Sequence, residues 1–363
     1  MKLSVNKEVL VKGIQTVQNI ITQKSNLPIL SYLLLETNDD SIRLITTDLD
    51  IGIIHKIPAH IEESGNIILP AKKFGDIVKE FPEETISINT KKNNLTTIES
   101  KQCQFKLMGL PYEEFPKLPK FTNQEVIKLN QDALKEILSL VAFAVSYDET
   151  RYILNGILCQ IKKESISLIA TDGKRLACYQ KKLSQGVNQP TQMIIPIKTI
   201  HELNRNLTEE GEILLGIGKN QVLFDLGNTQ IISRLIEGEF PDYKQVIPPA
   251  SPNKIKIDRE QCLLATRRAA LLSTPDYQAI KLEVHSDRLV ISKSTPNIGE
   301  SREELPCEYN GKDMIIGFNP NYLIDVLKNL TEQTIELEVT DSEKPGVIRT
   351  NGYIYIVLPM RLV

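Results

Sequence analysis

The 363-residue chain has no tryptophan, only four histidines, five scattered cysteines, no surplus of basic charge and no long apolar run. Each scarcity excludes something. Cys103, Cys159, Cys178, Cys262 and Cys307 are odd in number and form no CxxC pair, which argues against a disulfide framework and a thiolate zinc site and for reduced, mostly core thiols. His55, His60, His201 and His285 are dispersed along the chain and read as surface or strand residues rather than metal ligands. The 43 Lys+Arg against 46 Asp+Glu leave a net charge of −3, so this is no histone-like polyanion binder, and any nucleic-acid contact must come from local placement of charge. The longest strongly apolar, uncharged run is 137–147, short of the ~18 residues a spanning helix needs. The N-terminus carries Lys2, Lys7, Glu8 and Lys12 where a signal peptide has an apolar run, so a cytoplasmic protein is expected.

Catalytic signatures fail on inspection. HELNR at 201–205 lacks the second ligand of a zinc-protease motif because Arg205 stands in its place. DGKR at 172–175 has Leu168 where a phosphate loop needs glycine, GIG at 216–218 has no third glycine, and no GxSxG occurs. TTDLD at 46–50 offers two carboxylates, Asp48 and Asp50, that could hold Mg²⁺ for a nuclease or phosphotransferase. A second copy of the motif keeps the first (Asp172) and replaces the second by Lys174, which favours a turn closing the preceding strand.

That second copy belongs to an internal repeat of about one third of the chain. Leu10, Ile14, Val17, Ile21 and Leu30 match Leu134, Leu138, Val141, Val145 and Leu154 at a constant offset of 124. Asp48 matches Asp172 at 124, Pro70 matches Pro196 at 126 and Pro116 matches Pro241 at 125. A third copy is fainter: Leu323, Val326, Leu327 and Leu330 repeat the apolar face of Phe74, Ile77, Val78 and Phe81. At ~150 residues per domain a single core is unlikely for this length, and the repeat divides the chain into three expected units, at 1–121, 122–250 and 251–363. Each begins with a helix, continues through β-branched alternating strands, inserts a second short helix opened by Pro70, Pro196 or Asn319, and ends in more strands. The expected fold is α+β, two helices and antiparallel sheets per unit, with Pro-rich linkers at 111–121 and 240–252.

The repeat, together with LPIL (27–30), TDLD (47–50), RYILNG (151–156), ATDGKRLA (170–177), GEFPDY (238–243), GFN (317–319) and VLPMRL (357–362), resembles the bacterial sliding clamps, the beta subunits of DNA polymerase III, over the whole length. The resemblance implies a non-catalytic processivity factor needing no cofactor or metal. It implies a head-to-tail homodimer forming a six-domain ring around duplex DNA, with helices lining the hole. Twelve helices spaced ~9.5 Å apart enclose a hole of ~26 Å, room for a ~20 Å duplex. The helices expected to line it, at 6–25, 71–81, 131–150, 196–207, 258–276 and 319–330, carry +1 against −4 for the remainder.

The resemblance also implies sites. DNA contacts fall at or beside Lys24, Lys72, Arg151, Tyr152 and Lys198, with Asp148 and Ile153 departing from the family pattern nearby. The polymerase catalytic subunit, the clamp loader and other partners would insert short peptides into a pocket made of Leu154, Thr171, Gly173, Lys174, Arg175, Leu176, Pro241, Gln245, Val246, Asn319, Tyr322, Leu358, Pro359, Met360 and Arg361. There Lys174 and Gln245 depart from the commonest pattern, and Arg175 and Arg361 are expected as rim cations for a partner's acidic groups. The dimer interface would include Phe105, Leu107, Leu271 and Leu272. A protein-binding repeat scaffold that does not encircle DNA is the other reading open at this point.

Overall fold

The structure, a computed structural model, describes residues 1–21, 27–118, 126–183 and 190–362. Six α-helices occur among them: α1 (Lys7–Gln18), α2 (Ala71–Glu80), α3 (Gln131–Val141), α4 (Ile197–Asn206), α5 (Arg259–Ala270) and α6 (Pro320–Asn329). They come in pairs, one pair per repeat, and every pairing of strands is antiparallel, as the sequence pattern predicts.

The apolar stripes set the helix faces. Leu10, Ile14 and Val17 of α1 and Leu134, Leu138 and Val141 of α3 are buried at the same i, i+4, i+7 spacing. The second helices repeat one another as well: Phe74, Ile77, Val78 and Phe81 are buried, as are Leu323, Val326, Leu327 and Leu330. Asn319 caps α6 by accepting from the Asn321 N–H, with Pro320 in the first turn, whereas Pro70 stands one residue earlier than expected, at the cap position of α2.

The first helices are shorter than the stripe suggests. Thr46 donates its hydroxyl to the Val17 carbonyl (2.6 Å), and Tyr353 donates to the Leu140 carbonyl (2.9 Å). A side chain from the sheet thus satisfies a carbonyl near each helix end, where the helix itself supplies no further donor. After α3 the chain continues as a 3₁₀ turn, Ala142–Ala144, and Asp148 then caps a second 3₁₀ segment, Glu149–Asn155.

The chain forms two compact units. The first, Met1–Lys135 with Lys198–Leu235, holds a five-stranded and an eight-stranded sheet. The second, Glu136–Ile197 with Ile236–Val363, holds a twelve-stranded sheet. In the first unit Thr229–Arg234 pairs with Ile51–Pro58, Ser233 opposite Ile51; in the second Tyr353–Val357 pairs with Arg175–Lys182, Val357 opposite Arg175. Both seams between repeats are therefore main-chain ladders in the same register. Nor are the Pro-rich segments loose linkers: Phe115 is buried, and Phe240, Tyr243 and Ile247 pack on a core cluster. Their aromatic and aliphatic side chains hold them to the sheet despite the prolines.

Candidate partner, nucleic-acid and dimer surfaces

The turn between strands Ser165–Thr171 and Arg175–Lys182 is built by its own side chains. Asp172 Oδ1 accepts from the N–H groups of Lys174 (2.9 Å) and Arg175 (3.0 Å); Thr171 Oγ1 accepts from Gly173 N–H and donates to the Arg175 carbonyl. Gly173 has φ +84°, a conformation that favours glycine, while the one close neighbour of a Cβ there, Arg151 Nη1 at 2.9 Å, is the end of an exposed side chain that can move aside.

Arg175 leaves this turn pointing inward, with only 9% of its side chain exposed. Nε bonds Asp172 (3.0 Å), Nη1 bonds Asp325 of α6 (2.6 Å), and Nη2 bonds the Phe143 carbonyl (2.6 Å). The guanidinium lies 4.5 Å above the Tyr322 ring and 5.4 Å from that of Phe143. Burial alone would lower its pKa, but the bond to Asp325 and the nearby acidic charges carry it above the ordinary value. Arg175 is thus no rim cation for a partner: it is largely buried, and each of its three nitrogens already bonds within the unit. Arg361, in contrast, is exposed.

Beside the turn lies an apolar floor. Leu158, Ile169, Leu176, Cys178, Ile194, Val347 and Ile356 form a buried cluster overlaid by Ile153, Ile236, Phe240, Tyr243, Ile247 and Ile354. Leu154, Pro359 and Met360 are half-buried, whereas Val246 and Leu358 are exposed by 56% and 43%, which leaves apolar surface beside that cluster. The terminal segment is tied down by Leu358 N–H to the Lys174 carbonyl (2.9 Å) and Met360 N–H to the Gly317 carbonyl (2.8 Å). Of the remaining expected residues, Pro241 and Lys174 are exposed, Gln245 bonds Asp242, and Asn319 caps α6. The sequence reading missed Asp325 and Phe143, which complete the arginine's shell. Neither belongs to a motif, and only the fold brings them to Arg175.

Of the strand edges left unpaired among the described residues, one in each unit lies at the residues expected to form the dimer interface. Cys103–Met108 pairs only with Leu95–Ser100; its Met108 is 63% exposed and Phe105 39%, the latter edge-on to Phe81 at 5.7 Å, with Leu107 half-buried. In the second unit, residues 299–306 of the long strand Gly299–Tyr309 pair only with Arg288–Thr295, and only 307–309 also pair with Lys254–Asp258. After α5, Leu271 is 82% exposed, while Leu272 is half-buried with its carbonyl accepting from Thr295. A strand edge beside uncovered apolar side chains is suited to a protein partner.

The expected DNA contacts differ in how free they are. Lys24 lies outside the described residues. Lys72 is exposed on α2, but Lys198 on α4 is ion-paired with Asp48. Arg151, 56% exposed, reaches the Asp172 carbonyl at 3.4 Å and Asp148 at 3.9 Å; Tyr152 donates to the Glu237 carbonyl at 2.9 Å. Asp48 also accepts from the N–H groups of Asp50 and Ile51, so it closes the turn as the repeat suggests. Asp50 is exposed and lies 3.7 Å from Arg234.

Three family models match the chain in order: the N-terminal domain of the DNA polymerase III beta subunit at 1–119, its central domain at 128–242 and its C-terminal domain at 244–361. The beta sliding clamp of Bacillus subtilis (strain 168) is 32% identical, over 99% of this chain and 100% of its own length. That of Pseudomonas aeruginosa is 31% identical over the whole of both. A crystal structure of the Bacillus subtilis DNA polymerase sliding clamp superposes with a TM-score of 0.96 at 31% identity, covering both chains completely. A C. crescentus beta sliding clamp with a polyethylene glycol bound to its beta-motif tethering region superposes at 0.93 with 29% identity, also over the full length of both.

Proposed function

The chain belongs to the DNA polymerase III beta subunits, the bacterial sliding clamps, and is a non-catalytic processivity factor of DNA replication; from that premise we propose which of its surfaces carry the function. The observation that supports the reading is the in-order match of all three family domains to a chain with three helix pairs. The metal-dependent phosphotransferase loses its basis, because Asp48 is held by two backbone N–H groups and Lys198.

The proposed domains are 1–121, 122–250 and 251–363. Two chains join through the open edges around Phe105 and Leu107 and around Leu271 and Leu272, giving a ring that holds DNA by topology rather than affinity. A protein of net charge −3 can stay on DNA this way, and it slides because phosphate contacts carry no sequence information. Among the expected cations, Lys72 is the freest to meet the duplex, and Arg151 would do so beside Asp148. The apolar surface beside Leu176, Val246, Leu358 and Met360 receives short peptides of the polymerase and the clamp loader, with Gly173 allowing close backbone approach and Arg361 at the rim. Two or three Leu or Phe anchors contribute about 1.5–3 kcal/mol each, and association costs offset much of this, so binding is weak and partners exchange. The protein acts in the cytoplasm, and among the described residues no helix is long and apolar enough to cross a membrane.

Primer extension by a bacterial DNA polymerase III with its clamp loader tests the reading. Product length per binding event is expected to rise when the chain is added and to fall to the clamp-free value when residues 359–363 are deleted, with the dimer intact. Unchanged product length with the full chain would refute it.

A further inference from the structure

The first unit contains a second copy of the partner surface. The turn after Ser41–Thr47 repeats that after Ser165–Thr171 bond for bond. Thr47 Oγ1 accepts from Leu49 N–H and donates to the Ile51 carbonyl, as Thr171 does with Gly173 and Arg175. Arg234 N–H donates to the Asp50 carbonyl at 2.8 Å, as Leu358 N–H does to that of Lys174 at 2.9 Å. Beneath each turn lies the same apolar cluster: Leu34, Ile45, Ile68 and Ile232 in the first unit stand for Leu158, Ile169, Ile194 and Ile356 in the second.

Three exchanges distinguish the copies. Ile51 replaces Arg175, so there is no inward arginine, and Lys198 pairs with the aspartate instead. Gly52 replaces Leu176, and a Cβ there would lie 2.6 Å from Leu118 Cδ2, so Leu118 occupies the missing side chain's space and keeps the floor apolar. Leu49 replaces Gly173 at nearly the same backbone angle, φ +81° against +84°. A leucine held in the left-handed region is strained. It is also 43% exposed, so burial in the core does not account for it. Leu49 lines a cleft of about 350 Å³ with Leu118 and Ile232 on its apolar side and Asp50, Lys117 and Arg234 around it. That volume is at the small end of ligand clefts, and with Asp50 already 3.7 Å from Arg234 the lining keeps one net positive charge, Lys117, which favours an anionic guest.

We propose that this cleft is a second docking site for partner proteins, taking an extended segment in which one apolar anchor sits next to an acidic residue. The anchor packs on Leu49, Leu118 and Ile232, and its acidic neighbour meets Arg234 and Lys117. The inference rests on reading the 171–176 surface as a peptide site, because its argument is equivalence between the two.

An acetylated, amidated Asp-Leu-Phe-Asp peptide bearing a benzophenone tests it by photolabelling the dimer and mapping the modified residues. Label is expected in two places, near 49 and 117–118 and near 174 and 358. Leu49→Asn, which suits a left-handed backbone, and Arg234→Glu on the exposed rim should each lower the first label at least tenfold without changing the second or the mass of the dimer. Deleting 359–363 should do the reverse. Label confined to the second place, or a first label indifferent to both substitutions, would overturn the proposal. A second label surviving the deletion would instead overturn the premise about the 171–176 surface, a separate outcome.

Discussion

Arg175 Nη1 and Asp325 Oδ2 meet at 2.6 Å, joining a turn of the second repeat to α6 of the third. With Asp172 and the Phe143 carbonyl on its other nitrogens, the arginine acts as a bolt across the seam between those repeats. Replacing it with methionine leaves Asp172 and the carbonyl short of a donor. Arg175→Met should lower stability by about 2–4 kcal/mol, toward the lower value because Asp325 still reaches water. Urea unfolding checks this, and lysine should not rescue, since it lacks the fork that reaches three acceptors.

Leu271 leaves most of its surface uncovered in the single chain. Burying such a side chain in a dimer contributes roughly 1.5–3 kcal/mol, so Leu271→Asp should weaken dimerisation at least tenfold. Sedimentation equilibrium should give twice 41.0 kDa for the wild type at micromolar concentration and a rising monomer fraction for the variant.

Lys72 and Lys198 should separate in a salt titration on a short linear duplex. Lys72→Ala is expected to reduce the slope of log affinity against log salt by about one contact. Lys198→Ala should reduce it less, because that ammonium is already paired with Asp48.

Burial lowers the pKa of His55, whose Nδ1 lies 2.8 Å from Thr229 Oγ1 across the seam between the first two repeats. A histidine depressed in the folded state contributes stability above its unfolded value of ~6.5 and loses it as pH falls through the folded value. Between pH 7 and 5 the wild type should therefore lose more stability than His55→Asn, as thermal unfolding at each pH would record. Equal losses would contradict the assignment.

Much of this was legible in the residues. The constant offset from Leu10–Leu134 to Leu30–Leu154 located the repeat and the buried faces of α1 and α3, and the third copy located those of α2 and α6. Asp48 and Asp172 were readable as turn residues because the neighbouring carboxylate was not repeated. Helix ends were not readable, because the donors at the ends of α1 and α3, Thr46 and Tyr353, come from distant strands. Nor was the direction of Arg175: an arginine beside a turn looks like a surface cation until Asp325, Tyr322 and Phe143 are placed around it. The cleft at Leu49 was hidden for a different reason, since a left-handed leucine leaves no mark in composition or periodicity.

Retention on closed circular against linearised DNA tests the central claim, that the chain holds DNA by enclosing it. The protein, loaded by a bacterial clamp loader with ATP, is moved to about 1 M salt, where the Debye length is about 3 Å and surface attraction is largely screened. The account predicts that it stays on the closed circle and is lost once a single cut opens an end. Equal loss from circle and linear form would contradict it.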